Sequence, residues 1–268
     1  SWFDDACQQQ DVLLAYPERW QPSASRVWLA SEFVRQLCLE KPALLASLVD
    51  SGDLFCSCSK SYFYYQYRQL LKRATAVSQL KAQARLFRCQ MMMRFIWRDV
   101  SGWADLCETI KETSLCAEAI IDLTSKWLFR WYSRRTGITP VYQGRPSYLM
   151  VLAVGKLGGM ELNLSSDVDL VFCYMSPEGD NDSDETRGFY QSLARQLVAF
   201  LHDHGLLYRV DLRLRPFGTS GSLVVASSQL LRYYQDHARE WERYAMLKAR
   251  IISGDPRAAN ELQCLVES

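Results

Sequence analysis

The chain has 268 residues, is 49% hydrophobic and 23% charged, and carries 31 Lys plus Arg against 30 Asp plus Glu. That composition belongs to a globular chain with a sizeable core, not a disordered one. A formal net charge of +1 lacks the basic excess that marks duplex nucleic-acid binders, and the longest apolar run, Tyr148 to Val154, is far short of the ~20 residues that span a bilayer.

The first residues lack the basic, apolar and small-residue order of a signal peptide. The nine cysteines form no Cys-x-x-Cys pair, and they read as free thiols of a cytoplasmic protein rather than as a disulfide frame or zinc site. A chain that opens on Ser1 and closes at Ser268 inside a helical pattern reads as a fragment of something longer.

In chain order, Val27, Ala30, Phe33, Val34 and Leu37 recur at helical spacing. Pro42 suits the first turn of the next helix, with Leu44, Leu45, Leu48 and Val49 behind it. Tyr62-Phe-Tyr-Tyr-Gln-Tyr67 reads as helix packing ahead of base stacking. Leu80, Ala84, Phe87, Met91 and Phe95 make another stripe. A long helix is predicted from Ser114 to Arg135, with Leu115, Ala119, Leu123, Trp127 and Trp131 on one face and Gly137 as its stop.

After Pro140 the texture changes. Tyr148 to Val154, closed by Gly155, reads as a buried strand, and Val168 to Tyr174 as a second. Glu178 to Glu185 is acidic. Asp180, Asp182 and Asp184 begin a calcium-loop pattern, but Glu185 stands where glycine is needed, so a solvated loop is expected. Phe189 to Leu201 is helical up to Gly205, with His202-Asp-His204 as a capping cation. Leu206 to Leu214 alternates as a third strand, and Ser227 to Ile252 reads as helix with a break near His237. The predicted class is α+β: a helical region over 1–113, then a domain over 114–268 with a small mixed sheet and packed helices, cut short on its C-terminal side.

The chemistry gathers on two strands. Asp167 and Asp169 share a strand face, whereas Val168 and Leu170 point to the core. Paired carboxylates repel unless a cation lies between them, and Mg²⁺ suits oxygen ligands and phosphates. An isolated Asp-x-Asp is common, and alone it reads as surface. Gly155-Lys-Leu-Gly158-Gly159 directly follows the first strand, where glycines let backbone N–H groups approach phosphate, or simply satisfy a turn. The spacing fits neither a Walker A loop nor a Rossmann fingerprint. On the third strand Arg209, Asp211 and Arg213 alternate with Tyr208, Val210, Leu212 and Leu214. Asp211 would complete a carboxylate triad and the arginines could grip phosphate; the competing reading is a solvated face with weak surface ion pairs.

The string Gly155-Lys-Leu-Gly-Gly-Met-Glu-Leu-Asn-Leu-Ser-Ser-Asp-Val-Asp-Leu170 resembles the nucleotidyltransferase motif of the DNA polymerase β superfamily. That motif is a Gly-Ser or Gly-Gly pair, a spacer, Asp-x-Asp and a later carboxylate. Lys156 stands where the superfamily pattern has Ser. More narrowly, Gly155 to Phe172, Tyr208 to Val224 and Trp241 to Arg250 resemble the bifunctional glutamine synthetase adenylyltransferase/adenylyl-removing family. The segment from Ala84 to Trp97 is similar to that family as well. Glu161-Leu-Asn163 and Arg209 to Phe217 look like its N-terminal, AMP-removing half.

The resemblance implies a polymerase β-like fold and phosphorolytic removal of AMP from an adenylylated tyrosine of glutamine synthetase, yielding ADP. The rival readings are adenylyl transfer from ATP and a non-catalytic nucleotide-sensing or docking module. It implies Mg²⁺ at Asp167, Asp169 and Asp211. Phosphate or nucleotide would be held by Gly155, Lys156, Gly158, Gly159, Ser166, Arg213 and Arg215. Implied partners are glutamine synthetase, a PII-type signalling protein, ADP or ATP, and phosphate; nucleic acid and membrane are not among them.

Overall fold

Ser31 splits the first apolar stripe. Its hydroxyl accepts the Val34 N–H at 3.3 Å and caps a new helix, so the stripe lies on α1 (Pro17–Ala30) and α2 (Glu32–Glu40). Pro42 takes the first turn of α3 (Pro42–Asp50), where its missing N–H costs nothing. Next come α4 (Lys60–Arg73), which buries Phe63 and Tyr67 as helix packing, and α5 (Val77–Ser101). The predicted stripe of Leu80, Ala84, Phe87, Met91 and Phe95 is buried on α5. The computed structural model describes residues 5, 8, 17–175, 183–202 and 207–267. Asp180, Asp182, His204 and Gly205, all named above, lie outside the described residues.

The long helix, α6 (Leu106–Thr136), starts earlier than Ser114 because Asp105 caps it, accepting the Glu108 N–H at 2.7 Å. It ends where expected, on Gly137 at φ +75°. It runs unbroken through residues 113 and 114 and packs against α4, α5 and the sheet. Its burial is no stripe: from Thr109 through Ser125 nearly every residue is buried, Glu112, Glu118 and Asp122 among them.

A two-strand hairpin, β1 (Val141–Tyr142) and β2 (Arg145–Pro146), leads into β3 (Met150–Val154). The short helical turn α7 (Gly155–Gly158) follows, then β4 (Val168–Tyr174) and α8 (Asp184–His202). After these come β5 (Val210–Asp211), β6 (Val224–Ala226), α9 (Ser227–Asp236), α10 (Glu240–Met246), β7 (Arg250–Ser253) and α11 (Pro256–Glu267). The main sheet has the order β5-β4-β3-β7, with β6 also on β4. β3 is antiparallel to β4 and β7, whereas β5 and β6 run parallel to the start and end of β4. This is the expected α+β architecture with a mixed sheet.

All five residues of β3 are buried because both faces are covered. Val151, Ala153, Leu170 and Phe172 face the cluster built with the helical region, α6 and α8. Met150, Leu152, Val171 and Cys173 face a second cluster that contains Leu230 of α9 and Leu262 of α11.

Two elements differ from the sequence expectation. The third strand spans only Val210–Asp211, and residues 212–217 turn instead. The stretch predicted as helix to Ile252 changes to strand at Arg250, where β7 pairs with β3. Cys38, Cys58, Cys116 and Cys173 are buried free thiols as expected, whereas Cys56 and Cys107 are exposed. Among the described residues no helix is long and apolar enough to cross a membrane.

Candidate active site

The start of β4 sets the site. Val168 pairs with Val210 and Asp169 with Asp211 in parallel register. Directly opposed residues of neighbouring strands share a face, so these two carboxylates are neighbours. On the other side of β4, Asp169 pairs with Val154, the last residue of β3. The chain then turns at Gly155, φ +56°, directly over the Asp169 side chain. A Cβ on Gly155 would lie 2.4 Å from Asp169 Oδ2.

Asp169 is half-buried, and its carboxyl is held above the usual carboxylate range. Burial is the main cause; the Asp211 and Asp167 carboxylates add to it, and Arg213 and Lys156 oppose it. Asp211 is held below that range by the Arg213 guanidinium, which donates through Nε at 2.8 Å and Nη2 at 2.5 Å to Oδ2. The Arg213 N–H also donates to Asp211 Oδ1 at 2.9 Å. Asp167 accepts from Arg209 Nε at 2.5 Å, and Arg209 reaches the Ser165 carbonyl at 2.8 Å. Both sides of that pair are about half exposed or more. Arg209 therefore ties down the segment that leads into β4.

Lys156 Nζ donates to Ser166 Oγ at 3.3 Å. The lysine standing in the serine position of the family motif thus meets a serine from the other side of the loop. Gly158 and Gly159 both lie against the chain around Lys248. A Cβ at Gly158 would lie 2.2 Å from the Lys248 carbonyl and 2.8 Å from that of Ala153. Backbone carbonyls therefore take up the space beside the Gly158 Cα. At Gly159 the nearest atom is Lys248 Cδ at 3.0 Å. Arg215 lies past the end of the strand, not along its face. Its guanidinium donates to the carbonyls of Thr219 at 3.1 Å, Leu212 at 3.3 Å and Gly221 at 3.4 Å, and so ties the 212–221 loop.

As arranged, the outer two carboxylates face arginines, and among the described residues no group of three His, Cys, Asp or Glu side chains is assembled to hold a metal. The donor chemistry nevertheless suits a hard divalent cation. Three carboxylates lie close enough to repel, and the central one resists ionising chiefly through burial, with that repulsion added. Both covering arginines are themselves mostly exposed.

Three nearby residues, quoted above only within the strings that carry the resemblance, make contacts that the sequence reading gave no role. Lys248 pairs with Glu161 at 2.8 Å across Gly159, and Arg250 Nε donates to the Gly158 carbonyl at 2.6 Å. The overlooked signal was Arg250-Ile-Ile-Ser before Gly254, a short strand pattern that a helical reading absorbed.

Gly158→Ala is expected to destabilise the fold by about 1–3 kcal/mol, the usual cost of overpacking against atoms that cannot move aside. Thermal unfolding by circular dichroism checks this, at roughly 2–4 °C per kcal/mol for a chain of this size. An unchanged midpoint would mean that the Lys248 carbonyl is free to withdraw.

A family model described as glutamate-ammonia ligase adenylyltransferase matches residues 22–264. A bifunctional glutamine synthetase adenylyltransferase/adenylyl-removing enzyme of Nitrosococcus oceani is 38% identical over 278 aligned positions, covering 98% of this chain and 28% of that protein. Its counterpart in Pseudomonas syringae pv. tomato is 40% identical, covering 92% of this chain and 26% of its own length. The counterpart in Pseudomonas aeruginosa is 39% identical, at 93% and 26%. The chain therefore spans little more than a quarter of the length of these relatives. With the matched region running through both the helical bundle and the Asp169 sheet, this chain belongs to the glutamate-ammonia ligase adenylyltransferase family.

Proposed function

We propose that this chain carries the adenylyl-removing nucleotidyltransferase site, and that its substrates are adenylylated glutamine synthetase and inorganic phosphate. The observation that carries this reading is the facing pair Asp169 and Asp211 under the Gly155 turn. The finer resemblance of Arg209 to Phe217 favours removal over transfer. Cytoplasmic location and control by a PII-type protein belong to the same reading.

In the reaction a phosphate oxygen attacks the α-phosphorus of the tyrosyl-AMP diester. The bond to the tyrosine oxygen breaks, ADP leaves, and the phenolate takes a proton from water. Phosphate is already anionic at neutral pH and needs positioning more than a general base. Mg²⁺, when bound at Asp169 with Asp167 and Asp211, supplies charge neutralisation on the α-phosphate. Arg213 is the phosphate-gripping candidate: its side chain is 79% exposed and its fork is already planar against a carboxylate. Lys156 and Ser166 stand at the mouth of the turn as a second polar contact for phosphate oxygens.

The test is Mg²⁺-dependent ADP formation from adenylylated glutamine synthetase and phosphate, beside ATP with unmodified substrate. The full-length Pseudomonas syringae relative is the positive control. ADP from the first mixture supports removal. Adenylylation in the second supports transfer. Activity in the control but in neither mixture favours a docking role for this chain.

Arg213→Lys keeps the charge but loses the bidentate fork. Loss of one charge-assisted hydrogen bond predicts a roughly tenfold higher apparent KM for phosphate, with the Mg²⁺ requirement little changed. Separate titrations of phosphate and Mg²⁺ decide it, and a defect cured by extra Mg²⁺ alone would remove Arg213 from the phosphate site.

A further inference from the structure

Helix α6 reaches the Gly155 turn at two points one helical turn apart. Ser114 Oγ, fully buried, accepts the Leu162 N–H at 3.0 Å, just after the turn. Glu118, 1% exposed, accepts from Arg250 Nη2. Arg250 in turn donates to the carbonyls of Gly158 at 2.6 Å and Leu157 at 3.0 Å. Residues four apart lie on one helix face, so Ser114 and Glu118 grip both sides of the same loop. A second cation, Lys60 of α4, lies 3.4 Å from Glu118 on the solvent side.

A buried carboxylate with one guanidinium is a rigid anchor, because that planar fork fixes where its other donors point. Those donors are aimed at α7. The backbone of Gly158 is seated against Lys248 with no room for a Cβ, and Gly155 is seated on Asp169 Oδ2. Between these two tight contacts, movement of the turn moves the wall of the Asp169 carboxylate.

We infer that Glu118 and Arg250 are positioning residues for the nucleotidyltransferase site, fixing the glycine turn against Asp169 from the middle of the long helix. This rests on the functional reading above for its effect on turnover, though not for its effect on the turn. Neither residue touches substrate. They act through the Leu157 and Gly158 carbonyls, as outer-shell partners orient a metal site.

The test compares Arg250→Lys and the milder Glu118→Gln with Lys60→Met as a control. The first readout is amide hydrogen exchange. The Gly159, Met160 and Glu161 amides are protected by bonds to Gly155, Leu157 and Lys156 carbonyls at 3.0, 3.2 and 2.7 Å. In Arg250→Lys and Glu118→Gln these amides are expected to exchange faster, with Ile120 and Leu123 in α6 unchanged. The second readout is turnover on adenylylated glutamine synthetase with phosphate. The expected result is kcat lowered roughly 10–100-fold, the usual outer-shell range, with KM for the protein substrate within about twofold. Lys60→Met should leave both readouts as in the parent chain.

Turn amides as protected as in the parent, or exchange rising equally throughout α6, would overturn the proposal, the latter by reducing the pair to general stability. A parent chain without turnover would instead sink the functional reading, leaving amide exchange to decide the positioning role.

Discussion

Asp169→Asn is expected to remove turnover by more than the ~100-fold that loss of an outer-shell partner costs, and to raise the thermal midpoint of the metal-free protein. Both effects come from one environment. Burial, with the Asp211 and Asp167 carboxylates beside it, holds the Asp169 carboxyl above its ordinary range. A group whose folded pKa is raised favours folding only while protonated, and that contribution is lost as pH rises through the folded value. Above the unfolded carboxylate range Asp169 therefore opposes folding, and a neutral amide of the same shape does not. The difference between the two proteins should shrink as pH falls through the raised pKa and vanish below the unfolded carboxylate range. Mg²⁺ should stabilise the parent chain at pH 7 and lose affinity over the same acid window, while Asp169→Asn gains far less. Midpoints measured from pH 4 to 8, with and without Mg²⁺, are the check. Equal Mg²⁺ stabilisation of both proteins would remove Asp169 from the metal assignment, and retained turnover would remove it from the chemistry. Asp211 has the opposite sign. Arg213 lowers its pKa, so its contribution is present above the unfolded range and lost as pH falls, and exposure of Arg213 keeps it small.

The second strand was legible from end to end because Val168 and Leu170 to Tyr174 are apolar and buried, with the half-buried Asp169 as the one charged residue among them. The helix stop at Gly137 was legible for a local reason too: a positive φ and a glycine coincide there. The third strand misled because alternation alone cannot see side-chain competition for the backbone. Asp211 captures the Arg213 N–H at 2.9 Å, the Arg215 N–H returns to the Leu212 carbonyl at 3.2 Å, and the ladder ends. β7 misled in the other direction. Ala245 to Arg250 is rich in helix formers, but pairing of Ala153 with Arg250 and Leu152 with Ile251 overrides that preference. The aspartates of the site could be named from the sequence, whereas their arginine partners and the Lys248 contact at Gly158 depend on which loops meet. Hardest to read was α6, whose buried acids look like surface residues until their cations, from α5 and β7, are placed in space.

The largest effect on folding is expected at one of those acids. Arg94 of α5 is fully buried and pairs with Glu112 of α6, itself 3% exposed. The Arg94 guanidinium also donates to the Asp53 carbonyl at 2.7 Å and to the Cys56 carbonyl, and Glu112 accepts the Cys58 N–H. The pair thus fastens residues 53–58 to two helices, beside Arg98 of α5, which donates to the Leu54 carbonyl at 3.1 Å. Two charges taken from water attract strongly, yet desolvation cancels much of the gain, so the pair itself adds little net stability. Removing one partner is different, because the other charge stays buried without compensation. Glu112→Ala is expected to cost about 3–5 kcal/mol, or roughly 2–4 °C of thermal midpoint for each kcal/mol. Replacing both with apolar residues, Arg94→Met with Glu112→Leu, should recover only part of this loss. The Cys58 N–H and the Asp53 and Cys56 carbonyls would remain without their partners, at about 1–3 kcal/mol for each such buried group. Urea unfolding monitored by tryptophan fluorescence measures both, with the midpoint falling and the slope unchanged if the loss is one of stability alone. A cost below about 1 kcal/mol for Glu112→Ala, the range of an exposed pair, would show that water reaches Arg94 and that the loop is held by its apolar contacts through Leu54 and Phe63.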